Sequence, residues 1–200
     1  MFFLVSLSTC LKGRRSNVKW NMLVDSEVLS LSVPEQYFAF SEAYIDSACR
    51  LCTVLARSSN KATYARGSVV LYLSFHATEL FLKGAILYKS PQNNIESTHD
   101  IEKLYNRYLK IYTKKKYKFK LLFKSNEPDF SGIEPDLIKQ LKLEIKKLNK
   151  NNPSDQRYRY PQNTKGALWQ GIQGFEASSF LLEIKQLREE LNAISKQISN

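Results

Sequence analysis

The stretch 63-TYARGSVVLYLSFHATELFLKGAILY-88 decides the fold. Its apolar residues Val69, Val70, Leu73, Phe75, Leu80, Phe81, Leu82, Ile86 and Leu87 fall on nearly every side of a helical wheel, and no proline interrupts them. A helix that is apolar all round must be wrapped by other elements. The segment therefore predicts a central, buried helix from Thr63 to Tyr88.

The flanking segments have helical spacing too. Pro34 to Arg57 carries the stripe Phe38, Ile45, Ala48, Cys49, Cys52 and Leu55. It opens with Ser32 three residues before Glu35 and Pro34 in its first turn. A third helix is expected from His99 to Tyr112, capped by Ser97 three residues before Asp100. A fourth, Pro135 to Asn149, has Leu137, Ile138, Leu141, Ile145 and Leu148 on one face. In the last, Phe175 to Ile198, Ala177, Ile184, Leu191 and Ile198 recur every seven residues, with Phe180, Leu187 and Ile194 beside them. That seam suits packing inside the bundle, with sharing between two copies as the alternative. Polar breakers at 58–61, 90–94 and 149–153 separate the helices. Phe119 to Phe123 reads as either a strand-like piece or a helical continuation, and 151–174 is the longest irregular stretch. The expected fold is all-α, an up-and-down bundle of about five helices over residues 34–198, preceded by a loosely packed N-terminal arm, 1–33.

Composition agrees with a folded chain. Of 200 residues, 43% are hydrophobic and 24% charged, and only seven glycines and six prolines leave little room for a turn-rich β-sandwich. Thirty basic residues against 19 acidic ones give a net charge of +11 and a pI near 9.5, which favours a polyanionic partner. At the N-terminus the apolar run precedes the basic cluster Lys12, Arg14 and Arg15, the reverse of a signal peptide's order. The uncharged stretches fall short of the ~20 residues that span a bilayer. A cytoplasmic protein without a membrane partner is expected. Of the three cysteines, Cys49 and Cys52 form a CxxC spacing inside a helical pattern, with no second Cys or His pair to complete a zinc site. They are expected as buried core thiols, and no metal or cofactor is expected.

Three constellations carry possible chemistry. On the central helix, Tyr72, His76, Glu79 and Lys83 fall within about 60° of arc at 100° per residue. They form either a structural ion pair with a core histidine or the wall of a polar pocket. In the irregular stretch, Arg157-Tyr158-Arg159-Tyr160-Pro161, if extended, would turn two guanidiniums to one side and two phenols to the other. Such a strip suits phosphate and a stacked base, or merely ties the loop to carboxylates. The arginines are expected to anchor this loop over Glu79 and Lys83, near His99 and Asp100. The third constellation runs from Lys103 to Lys124 with no acidic residue. Its Lys114, Lys115, Lys116, Lys118 and Lys120 could track a phosphate backbone while interleaved aromatics stack on bases. The other reading is a solvated face over a core. No Gly-rich phosphate loop, HExxH pair or GxSxG elbow is present.

Three pieces in order, Ala77-TELFLKGAI-Leu87, Thr98-HDIEK-Leu104 and Asp155-QRYRY-Pro161, resemble the HEPN superfamily of higher-eukaryote and prokaryote nucleotide-binding domains. The resemblance implies a helical bundle that handles RNA or nucleotides, commonly in bacterial toxin–antitoxin or antiphage modules, often as a homodimer or with a cognate partner protein. HEPN ribonucleases carry Arg, four to six residues, then His. The positions that would hold that arginine are Leu71, Val70 and Val69 before His76, and Asn94, Asn93 and Gln92 before His99. The resemblance with this departure implies a non-nucleolytic binding member, with Glu79, Lys83, His99, Asp100, Arg157, Tyr158, Arg159 and Tyr160 as ligand-binding candidates and no catalytic residue. Two alternatives stand beside it. One is a divergent metal-independent ribonuclease using His99 or His76 with Arg157 or Arg159. The other is a purely structural helical interaction protein.

Overall fold

A computed structural model describes residues 25–91, 98–123, 130–151, 153–169 and 174–200. Among the described residues there is no strand, and the chain is an all-α helical bundle. In chain order the helices are α1 (Ser26–Leu29), α2 (Val33–Arg57), α3 (Tyr64–Lys89), α4 (Ile101–Ile111), α5 (Pro135–Asn151), α6 (Ser154–Arg157) and α7 (Ala177–Ser199). The five long ones match the five expected; α1 and α6 are single turns. Of the expected arm, residues 1–24 lie outside the described residues.

Helix α3 is the centre, as its all-round apolarity requires. It packs against α2, α4 and α7, and α2 in turn packs against α7. By length and composition α3 could cross a membrane, but 61% of its most apolar window is buried within this fold. Gly84 lets α2 and α3 approach closely: a Cβ there would stand 2.9 Å from the Tyr37 Cβ. The Ser32 amide donates to Glu35 Oε2 at 2.9 Å, so the reciprocal cap expected at the start of α2 is formed. Six heptad residues of α7 (Ala177, Ile184, Leu187, Leu191, Ile194 and Ile198) are buried inside the chain, and Phe180 is partly buried against the same core. The seam packs within one molecule, the first of the two uses expected for it. Cys49 and Cys52 are free, buried thiols, and burial pushes Cys52 up to about 11. Both therefore serve packing.

The lysine-rich stretch is held by tyrosine hydroxyls. From α4, Tyr105 donates to the Phe119 carbonyl at 2.5 Å and Tyr108 to that of Tyr117 at 2.6 Å, while Tyr112 donates to the Ala85 carbonyl of α3 at 2.9 Å. These bonds draw residues 117–119 onto the bundle as irregular chain after a single 3₁₀ turn, Lys115–Tyr117. Neither a strand nor a helical continuation forms at 119–123. Tyr108, Tyr112 and Phe119 are buried, and Tyr105, Tyr117 and Phe123 pack against the core. The interleaved aromatics are therefore core, not a platform for bases. Lys114, Lys115, Lys116, Lys118 and Lys120 remain exposed, with Lys120 paired to Glu183 at 2.8 Å.

None of the described side chains of α5 is buried, so this helix contributes nothing to the two core clusters. The extended conformation on which the Arg–Tyr alternation depended is not adopted. Residues 154–157 form the turn α6, and the Tyr158 and Arg159 amides bond back to Ser154 and Gln156, so the alternation of faces is lost.

Candidate functional site

The expected stripe on α3 is organised around one carboxylate. Glu79 is 2% exposed and accepts three contacts: Lys83 Nζ at 2.6 Å and His99 Nδ1 at 3.0 Å on Oε1, and His76 Nδ1 at 3.4 Å on Oε2. His76, Glu79 and Lys83 share a face because they lie three and four residues apart on a helix. His99 reaches them from the turn before α4. That turn is fixed by Asp100, whose side chain accepts from the Lys103 amide at 3.0 Å, and by Thr98 Oγ1, which accepts from the Asp100 amide at 3.1 Å. The observed cap is therefore Asp100, one residue before Ile101; Ser97 lies outside the described residues. Asp100→Ala is expected to destabilise the fold by about 1 kcal/mol, a fall of roughly 2–4 °C in Tm. A thermal melt checks this.

Burial alone would push the Glu79 carboxyl up. The hydrogen bonds from His76 and Lys83, with the charges of Lys83 and His99, outweigh burial and hold it down at about 2. An ionised carboxylate only accepts, so the Nδ1 of each contacting ring carries a proton. Each Nε2 is then left to accept when the ring is neutral, or to donate when it is charged.

The loop after α6 packs onto this stripe, as expected, but through different contacts. Tyr158 anchors it, its ring 6.4 Å from Phe75 of α3 and 6.2 Å from Phe123. Arg157 makes no ion pair with Glu79. Its Nε is buried without a hydrogen-bond partner among the described residues, and its guanidinium lies 5.8 Å from the Tyr158 ring. Among the described residues the expected anchoring arginine is absent from Glu79, whose contacts beyond Lys83 are the two imidazoles. Arg159 lies 5.5 Å above the Tyr72 ring and 5.2 Å from that of Tyr160. Beyond it the Trp169 indole donates to the Tyr160 carbonyl at 2.6 Å, and Gly166, at φ +75°, supplies the left-handed residue of the closing turn.

Between His99 and this loop is a cavity of about 610 Å³ lined by His99, Asp155, Gln156, Arg159, Tyr160 and Asn163, among others. Of the candidates, His99, Arg159 and Tyr160 line it; Glu79 and Lys83 support it from beneath through His99. Asp100 and Tyr158 position its walls. The exposed lysines from Lys114 to Lys120 do not line it. Tyr72 and His76 were expected on the stripe, and His76 as an alternative catalytic group, but neither stood among the ligand-binding candidates; Gln156 and Asn163 did not either. Tyr72 and His76 were legible as stripe members and Gln156 as part of the Asp155–Pro161 piece, whose start forms the turn α6, whereas Asn163 carries no sequence signal, because a loop places it. Among the described residues no group of three or more His, Cys, Asp or Glu could hold a metal ion.

No family model, curated protein or solved structure matches this chain.

Proposed function

We propose that this chain is a non-nucleolytic nucleotide- or RNA-binding HEPN-like protein of a bacterial defence or toxin–antitoxin module. One observation carries the binding reading. His99, oriented by a buried carboxylate, and Arg159, spread over Tyr72, line one cavity beside the exposed ring of Tyr160. Imidazole and guanidinium suit phosphate, and the tyrosine face suits a base. The net charge of +11 adds long-range attraction for a polyanion. The family and the biological setting rest on the sequence resemblance alone.

Arg159 is exposed, so Arg159→Ala should leave the melting temperature within about 1 °C while weakening RNA binding. Loss of one phosphate contact should also flatten the salt dependence by about 0.7 in the log–log slope for a single strand. Fluorescence anisotropy of a labelled RNA hexamer, titrated at several salt concentrations, measures both. If the variant melts lower but binds normally per folded molecule, the cavity serves the fold alone.

A second reading, metal-independent phosphodiester cleavage, draws on one observation: folding brings His99 and Arg159 to the same cavity, although they lie far apart in sequence. It ranks below binding because the R-x4-6-H pair is absent. RNA that stays intact under wild-type protein and His99→Ala alike supports binding; cleavage by the wild type alone supports the enzyme.

A further inference from the structure

Glu79 holds two histidines that face two different hollows. His99 lines the polar cavity. His76 lines a second groove of about 350 Å³, together with Gln36, Tyr37, Phe40, Tyr44 and Leu80. Because both imidazoles touch one carboxylate, at 3.0 and 3.4 Å, the walls of the two hollows meet at Glu79. A run of flat groups joins them. The Tyr44 ring meets His76 edge-on at 4.7 Å, and His76 stacks on Tyr72 at 5.7 Å with 9° between planes. Arg159 then covers Tyr72 at 5.5 Å. Phe40 is 52% exposed at the mouth of the groove. A single exposed phenylalanine is ordinary. This one borders a hollow with three other flat rings, one step from the groups suited to phosphate.

We infer that the groove is a base site: a nucleotide binds with its base ring against Phe40, Tyr37 and Tyr44 and its phosphate on His99 and Arg159. The inference rests on the proposed function and deepens it, by naming a nucleotide read through both of its ends as the ligand. Aromatic faces favour a planar π-system over an aliphatic chain, and stacking tolerates any base. With the Gln36 amide nitrogen held by the Leu31 carbonyl and His76 Nδ1 by Glu79, Gln36 Oε1 and His76 Nε2 remain to hydrogen-bond a base edge. The nucleotide is either free or one unit of a single strand. In a strand, its neighbours would continue toward the exposed ring of Tyr160.

The test uses the full chain and calorimetric titration with AMP, ribose 5-phosphate and hexa-adenylate. Phe40→Ala should weaken AMP on the order of tenfold and leave ribose 5-phosphate unchanged, because only the base touches the ring. Phe40→Leu, which keeps the apolar bulk and removes the flat face, should fall between. Arg159→Ala should weaken both ligands. Hexa-adenylate binding at least tenfold more tightly than AMP identifies a strand as the source; equal or weaker binding identifies the free nucleotide. If Phe40→Ala and Phe40→Leu bind AMP as the wild type does while Arg159→Ala does not, the groove holds no base and only this inference falls. If the wild type binds none of the three, the proposed function falls with it.

Discussion

Glu79→Ala is expected to remove about 3–5 kcal/mol of stability, because it leaves Lys83 and two imidazoles facing a site with no carboxylate. Against a total of roughly 5–15 kcal/mol for a domain, that is enough to unfold much of the population on mild heating. Glu79→Gln keeps the shape and separates charge from packing. The wild-type carboxyl titrates at about 2 when folded, against an ordinary 4.5. A depressed acid pKa contributes stability that is full above about pH 5 and is lost as the pH falls toward 2. The contribution is on the order of 3 kcal/mol. Glu79→Gln should therefore be less stable than the wild type at pH 7, and the difference should shrink between pH 5 and pH 2. Urea unfolding across that range measures it. Parallel curves would show that the ionised carboxylate does not support the fold.

The second large effect lies in the core. Phe81 is 1% exposed and packs between Phe38, Tyr108 and Phe119, with ring centroids 5.7, 5.9 and 5.6 Å away. Phe81→Ala should cost about 3–5 kcal/mol, combining lost transfer energy with a cavity that the surrounding rings cannot fill. Leu182→Ala, at a side chain 70% exposed on α7, should change stability by no more than about 0.5 kcal/mol. Denaturant midpoints compare the two. Equal costs would contradict the placement of α3 at the centre.

What could be read in the sequence follows from how local each signal is. The apolar surround of α3, the Ser32–Glu35 cap and the α7 seam are periodic or short-range patterns, and the structure shows all three. The grouping of Tyr72, His76, Glu79 and Lys83 was legible for the same reason, since helix geometry alone brings them together. The identity of the remaining donor on Glu79 was not. Choosing His99 over Arg157 depends on a turn set by Asp100 and on Tyr158 docking against Phe75, both tertiary contacts between distant segments. The role of the aromatics between Lys103 and Lys124 was likewise hidden. Whether a tyrosine stacks on a base or bonds a carbonyl depends on chain that returns to meet it, as 117–119 does here. Phe40 had no distinguishing pattern, since only the partner helix reveals that it borders a groove.

The most direct test of the account is where RNA touches the protein. A 4-thiouridine-labelled single strand can be crosslinked to the full chain by ultraviolet light and its attachment points mapped by mass spectrometry. Crosslinks are expected at Tyr160 and Phe40, around the His99–Arg159 cavity and the adjoining groove. Crosslinks confined to the exposed run from Lys114 to Lys120 would contradict this reading, and so would no crosslink from the strand together with none at these rings from 8-azido-AMP.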